Sequence, residues 1–506
     1  MKQALAAFIL LFFGLNIPSN AQLSKSDIIE ASESELRNSL LEFRDYLSIP
    51  NNGKVLSDIQ LNLEWTKVAL EKRGFKTQIL TSNDVPHLFA QGKIDPNKKT
   101  ILVYMQVDGQ PVDSSAWNQE SPYIPELMEE INGNWEPIHW NFIDGEIDPE
   151  WKIFARSASD SKGPTMTFLT ALDILQKKGI APSVNLKFIL DFQEEFSSPE
   201  LAKVVADNKK LFESDGVLIM DGTRHFSNLP NLAFGARGIA TITLKIFGAK
   251  DDLHSGQYGN FAPNPVFAAS RLLAAMKDEA GKVLIPGFYD GVEFTDSDLK
   301  AMAAVPESMQ EIQAELGIAT AEKVGNSYQE AMQFPSLNIR GMRAAWVGKE
   351  VRTIIPSEAI IEIDMRTVKE TPAERQVELV KQFIADQGYH FVEGEPSDEE
   401  RKTYSKLISF DYRIGSEPFR AEMESDFGHW LEKGMSLVFG ENYIKTRLTG
   451  GSQPMAPFIN ILGIPAVSVR IPNPDNSIHA PNENIRVGNY LEGIQTCLGI
   501  LSQSFN

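Results

Sequence analysis

Apolar positions recur every three to four residues over Lys25–Leu47 and over 58–73, which predicts two helices, whereas Thr100–Gln106 (TILVYMQ) is a compact apolar run that predicts a buried strand. The pattern then alternates: a helix over 163–178, a strand over 185–192 (NLKFILDF), a helix over 199–208 and a strand over 216–220 (GVLIM). Such β-α-β alternation predicts a mostly parallel, doubly wound sheet with helices on both faces. From about residue 236 the period changes to strict alternation over 239–247 (IATITLKIF), followed by an amphipathic helix at Pro265–Met276, strands at 344–347 and 359–364, a helix at 373–387 and a strand near 390–392. Two strand-helix-strand units of this kind predict a small α+β unit of the two-layer, ferredoxin-like type. A long amphipathic helix over 416–439, a strand over 466–471 (AVSVRI) and a closing helix return the chain to its first sheet. The expected division is therefore an α/β domain at 22–235 and 412–506, interrupted by an inserted α+β domain at 236–411.

A length of 506 residues exceeds what one core normally serves and agrees with two domains and a cleft between elements. The 68 acidic against 48 basic residues give a formal charge of −20, which repels phosphate backbones and excludes nucleic acid as an expected partner. Residues 1–21 read as an export signal: Lys2, an apolar run from Ala4 to Leu15, then Ser19-Asn20-Ala21 with small residues at the cleavage positions. That run is too short for the roughly 20 residues of a membrane span, so the chain is expected in a periplasm or outside the cell. The only cysteine, Cys497, allows no intrachain disulfide and is expected as a small buried side chain.

The acidic residues fall at particular places relative to the strands. Asp108 follows the first apolar strand, Glu194 and Glu195 the second and Asp221 the third, and His479 lies a few residues past the last. In an open parallel sheet the carboxyl ends of the strands line one crevice. Carboxylates gathered there repel one another unless a divalent cation holds them ionised, and an added imidazole moves the preference from magnesium or calcium toward zinc, manganese or cobalt. Asp160, in ARSASDSKGP just before a helix, reads alone as either a helix cap or a ligand.

Eight segments, taken in order, resemble the metallopeptidase family that contains carnosine-type dipeptidases, glutamate carboxypeptidases and aminoacylases: ILVYMQVDGQPVD (101–113), ARSASDSKGP (155–164), ILDFQEEFSSPEL (189–201), VLIMD (217–221), DLHSGQYGN (252–260), VRTIIP (351–356), LTGGSQP (448–454) and IHAPNE (478–483). The resemblance implies that Asp160 bridges two metal ions, that Glu195 and His479 complete one site and Asp221 contributes to the other, and that Glu194 is the general base. It implies that His254 reaches a partner subunit's site in a homodimer, and that Arg366, Thr353 and Ser452 hold substrate. The implied reaction is hydrolysis of the C–N amide bond of a small peptide or, alternatively, of an N-acyl amino acid. The implied cofactor is one or two divalent ions, zinc first and manganese or cobalt next.

One position breaks the family pattern. Where the family has His-x-Asp, this chain has Gln106-Val107-Asp108, so a metal-ligand histidine is replaced. Gln106 could give its amide oxygen to the ion and its amide N–H to Asp108. A neutral amide oxygen is a poorer zinc ligand than imidazole, which leaves three readings open: two ions with one held weakly, a single ion at Asp160, Glu195 and His479, or a binding protein without turnover. Ser161 stands where a second aspartate is common, and residues 134–151 lengthen the preceding loop, either as a wall of the cleft or as a packed hairpin.

Overall fold

The computed structural model describes residues 22–451, 453 and 455–505; the expected export signal at 1–21 and the expected substrate residue Ser452 lie outside the described residues. The large sheet has eight strands in the order Lys76–Ser82, Val85–Gln91, Asn185–Asp191, Thr100–Gln106, Gly216–Ile219, Ala466–Arg470, Asn231–Ala233 and Ile444–Thr446. Its four central strands, from Asn185–Asp191 to Ala466–Arg470, run parallel. Antiparallel pairings begin on either side of them, including the hairpin that joins the first two strands.

The central strands are apolar throughout because both faces are covered. Asn185–Asp191 and Gly216–Ile219 are buried at every position. Ile101, Val103 and Met105 pack on one side with Lys25–Leu47, Lys162–Lys177 and Val487–Ser502, while Leu102 and Tyr104 pack on the other with Leu201–Asp207 and Ala456–Leu462. Cys497 lies in the first of these cores, and burial pushes its thiol up to about 12.

A second sheet has the order Ser336–Arg343, Glu358–Thr367, Gly238–Phe247, Leu407–Ile414 and His390–Phe391. Residues alternate between buried and half-buried along Gly238–Phe247 and Glu358–Thr367. The buried set meets Pro265–Met276 and Ala373–Asp386, so helices cover one face only. The fold class is thus α/β with an inserted two-layer α+β unit, as the alternation predicts.

Local departures have physical causes. Residues 344–347 form no strand; the strand is Ser336–Arg343, which the pattern hides because most of it is exposed, and Ala345 has φ +49°. The expected helix at 416–439 begins only at Asp426, capped by Ser425, because Phe419–Arg420 pair with Gly235–Ala236 instead. Helices at Asp296–Ala303, Met309–Leu316 and Tyr328–Met332 have no counterpart in the sequence reading. The 134–151 stretch is in part a hairpin: Asn134–Ile138 pairs with Glu126–Ile131 in a four-stranded sheet completed by Lys152–Phe154 and Asn484–Arg486. Among the described residues, no helix is long and apolar enough to cross a membrane.

Candidate metal centre

The parallel register brings the carboxyl ends of four strands to one level. Gln106 pairs with Asp191, and Tyr104 lies opposite Ile219, which is itself opposite Ser468. The residues just beyond these ends, Asp108, Glu194, Glu195 and Asp221, therefore face one crevice, and the loop after Ala466–Arg470 brings in His479.

Asp160, Glu195 and His479 form a compact triad whose ligand atoms all lie within 4.8 Å of one another. His479 Nε2 is 2.9 Å from Asp160 Oδ2 and 3.2 Å from Glu195 Oε2. Gln110 Nε2 donates to Glu195 Oε2 at 2.8 Å. Burial, with the repulsion of neighbouring carboxylates, raises Asp160 to about 6 and Glu195 to about 8. His479 is raised to about 9, chiefly by its hydrogen bond to Asp160. Carboxylates this hard to ionise are what a divalent cation relieves, and one imidazole with two carboxylates is a donor set that fits zinc with a position left open. The His479 side chain is 52% exposed, so the triad opens to solvent.

The Asp221 side is organised differently. Ser161 Oγ donates to Asp221 Oδ1 at 2.9 Å and Gln453 Nε2 to Asp221 Oδ2 at 2.7 Å. Gln106 Nε2 donates to Asp160 Oδ1, not to Asp108 as the sequence suggests, and Gln106 Oε1 is buried and has no hydrogen-bond partner among the described residues. Asp108 instead accepts the backbone N–H groups of Glu194 at 2.9 Å and Glu195 at 3.1 Å. It fixes the turn that carries both glutamates. That turn is a short 3-10 segment, Glu194–Phe196. Burial and the surrounding Asp221, Asp160, Glu195 and Asp108 raise Glu194 well above the usual carboxylate range.

One residue that sequence reasoning missed is Glu483, although it closes the IHAPNE segment. It is fully buried and accepts from Arg156 Nη1 at 2.6 Å, Ser157 N at 2.9 Å, Ser159 N at 3.0 Å, Ser159 Oγ at 2.8 Å and Asp160 N at 2.9 Å. This one carboxylate shapes the loop that presents Asp160. Arg470 and Gln453 were also missed; the available signal was an arginine ending an apolar strand that points at the crevice.

His254, Thr353 and Arg366 belong to the inserted unit, and His254 is not in the group that Asp160, Glu195 and His479 form. His254 is exposed, pairs across a short ladder with Ile354, and accepts Gly256 N at 3.1 Å. Thr353 is its neighbour through the Ser255 N to Thr353 O bond at 3.2 Å. Arg366 is half-buried opposite Ile239 and Ser336 in the second sheet.

A parallel-centred sheet with a carboxylate and imidazole cluster at its strand ends, interrupted by a two-layer unit, defines a metal-dependent hydrolase. The chain belongs to peptidase family M20/M25/M40, whose family profile matches residues 128–503, and it is a metallopeptidase. It is 27% identical over 424 residues to a Cys-Gly metallodipeptidase of Candida albicans, an overlap of 80% of this chain and 79% of that protein. It is 24% identical over 417 residues to the human beta-Ala-His dipeptidase, covering 81% of this chain and 75% of that one. Its fold resembles the crystal structure of an M20 family metallo-carboxypeptidase from Sulfolobus solfataricus, with a TM-score of 0.73 and 24% identity over 92% of this chain and 99% of that one.

Proposed function

We propose that the chain is an exported dipeptidase that cleaves the amide bond of a small peptide, with Asp160, Glu195 and His479 holding a divalent ion and Glu194 as general base. The observation that carries this reading is the triad within 4.8 Å, with Glu194 one residue from a ligand and surrounded by the same carboxylates. An ion held there, zinc by its donor set, supplies Lewis acidity to a water and to the amide carbonyl. Glu194 takes the proton of the attacking water on its carboxylate and returns it to the departing amine nitrogen. A carboxyl raised by burial and by its neighbours is suited to hold that proton between the two transfers.

Arg366, with Thr353, would bind the substrate's terminal carboxylate, for which a guanidinium offers paired donors. Ser452 is assigned to the same task. His254, exposed in an inserted unit whose Val351 and Phe261 are 68% and 86% exposed, is assigned to the site of a second copy in a homodimer. Large exposed apolar residues of that kind favour an interface. Dipeptidase names among the relatives favour dipeptides over N-acyl amino acids as substrates. The test is hydrolysis of a dipeptide panel, Cys-Gly and β-Ala-His included, by the zinc-loaded protein. Release of free amino acids supports the reading, and no hydrolysis of any member at saturating zinc overturns it.

A further inference from the structure

We infer that the Asp221 half of the centre takes no metal ion, and that the chain's own hydrogen-bond donors, together with the fixed cation of Arg470, stand where a second ion would otherwise be held. The inference rests on the single-ion triad proposed above and specifies how many ions that enzyme uses.

A carboxylate that bridges two ions must offer one oxygen to each. Asp160 divides its oxygens in another way: Oδ2 faces His479 at 2.9 Å, while Oδ1 accepts from Gln106 Nε2 and from Ser161 Oγ at 3.1 Å. Asp221 likewise has a donor on each oxygen. The Gln453 amide is oriented by Ser468, whose Oγ donates to Gln453 Oε1 at 3.0 Å, so the amide N–H, and not its oxygen, meets Asp221. Ser161 and Gln453 are both buried, so these are built contacts and not solvent substitutes.

Charge is supplied from the next strand. Ala466–Arg470 runs parallel to Gly216–Ile219 with Ser468 opposite Ile219, and two more residues in the same register bring Arg470 level with Asp221. Its guanidinium lies directly on Gly222: a Cβ added there would be 1.5 Å from Arg470 Nη1, so only glycine at 222 leaves the room. Arg470 Nη2 donates to Thr449 Oγ1 at 3.1 Å, which anchors the group. The carboxylates that attract it are Asp221 first and Asp160 second. A fixed guanidinium offsets their repulsion and opposes a divalent ion in the same place.

One feature pulls the other way. Gln106 Oε1 is a buried acceptor with no partner among the described residues, and an ion on this side would satisfy it. Against that single neutral oxygen stand the donors on three carboxylate oxygens and a permanent positive charge.

The experiment strips the full-length protein with a chelator, titrates it with zinc, and measures bound zinc per chain by elemental analysis alongside calorimetry. Manganese loading read by electron paramagnetic resonance gives a second measurement that needs no variant. One zinc per chain and an uncoupled manganese signal are expected for the wild type. The double variant Gln106→His with Arg470→Leu is expected to take up a second zinc with affinity raised roughly 100-fold, the scale on which the surroundings of a ligand control binding. Two tightly held ions in the wild type, or a spin-coupled manganese pair, would overturn the inference while leaving the hydrolase intact. A double variant that folds and still binds one zinc would overturn the role given to Gln106 and Arg470. No zinc in the wild type would remove the enzyme reading itself and this inference with it.

Discussion

The two halves of the centre share Asp160 yet solve the same electrostatic problem by different means. On one side Asp160, Glu195 and His479 converge within 4.8 Å, half open to solvent, with raised carboxylates that invite a cation. On the other, Asp221 is met on both oxygens by Ser161 and Gln453, with Arg470 on the adjoining strand. The contrast teaches that clustered carboxylates at strand ends signal a need for positive charge, and that a chain can meet that need with its own side chains as well as with a metal.

The largest effect expected is on the catalytic side. Glu194→Gln should reduce turnover of a dipeptide by about 100- to 10,000-fold, the usual weight of general acid–base catalysis, while bound zinc stays unchanged. The pair of measurements is kcat and zinc content of the same preparation. Retained turnover would break the contrast at its root, since the triad would then lack its base.

The loop that both halves share comes next. Glu483 is fully buried and ion-paired to Arg156 at 2.6 Å. Removing one partner of such a pair costs about 3–5 kcal/mol because the other charge is left uncompensated. Glu483→Ala should therefore lower unfolding free energy by about that amount in denaturant titration. A loss below about 1 kcal/mol would mean that the loop presenting Asp160 is held by other contacts.

The comparison itself is sharpest in metal affinity. His479→Ala should weaken zinc binding by more than about 100-fold, whereas Asp221→Asn should change it by less than about tenfold, because the second residue is outside the triad. Calorimetric titration of each variant decides it. Equal losses at the two positions would make the centre symmetric and remove the distinction.

Much of this architecture was legible in the sequence because the central strands are buried on both faces and read as unbroken apolar runs: Thr100–Gln106 is found where TILVYMQ predicts it, and Asp108, Glu195 and Asp221 are near enough to Glu194 to raise its carboxyl. What was not legible depended on pairings between distant segments. The role of Arg470 follows from its register against Gly216–Ile219, some 250 residues earlier, and that of Gln453 from Ser468 holding its amide. The placement of Gln106 against Asp160 rather than Asp108 has the same origin: Asp108 is already taken by the backbone N–H groups of Glu194 and Glu195, some 86 residues along the chain. The exposed strand Ser336–Arg343 was invisible for a different reason, since a strand with most side chains in solvent carries no apolar alternation.

The smallest effect expected lies one layer out from the ions. Gln110 donates to Glu195 Oε2 at 2.8 Å, on the same oxygen that faces His479, so it orients the carboxylate of the open half. Gln453 makes the corresponding bond on the other half, to Asp221 at 2.7 Å. Loss of an outer partner typically costs about 10- to 100-fold in affinity when it supports a ligand. Gln110→Ala is therefore expected to weaken zinc binding about tenfold, and Gln453→Ala to leave it within about twofold because Asp221 is not used as a ligand. If the two truncations weakened zinc equally in calorimetry, Asp221 would be acting as a ligand after all, and its neighbours would be supporting a metal site rather than standing in for one.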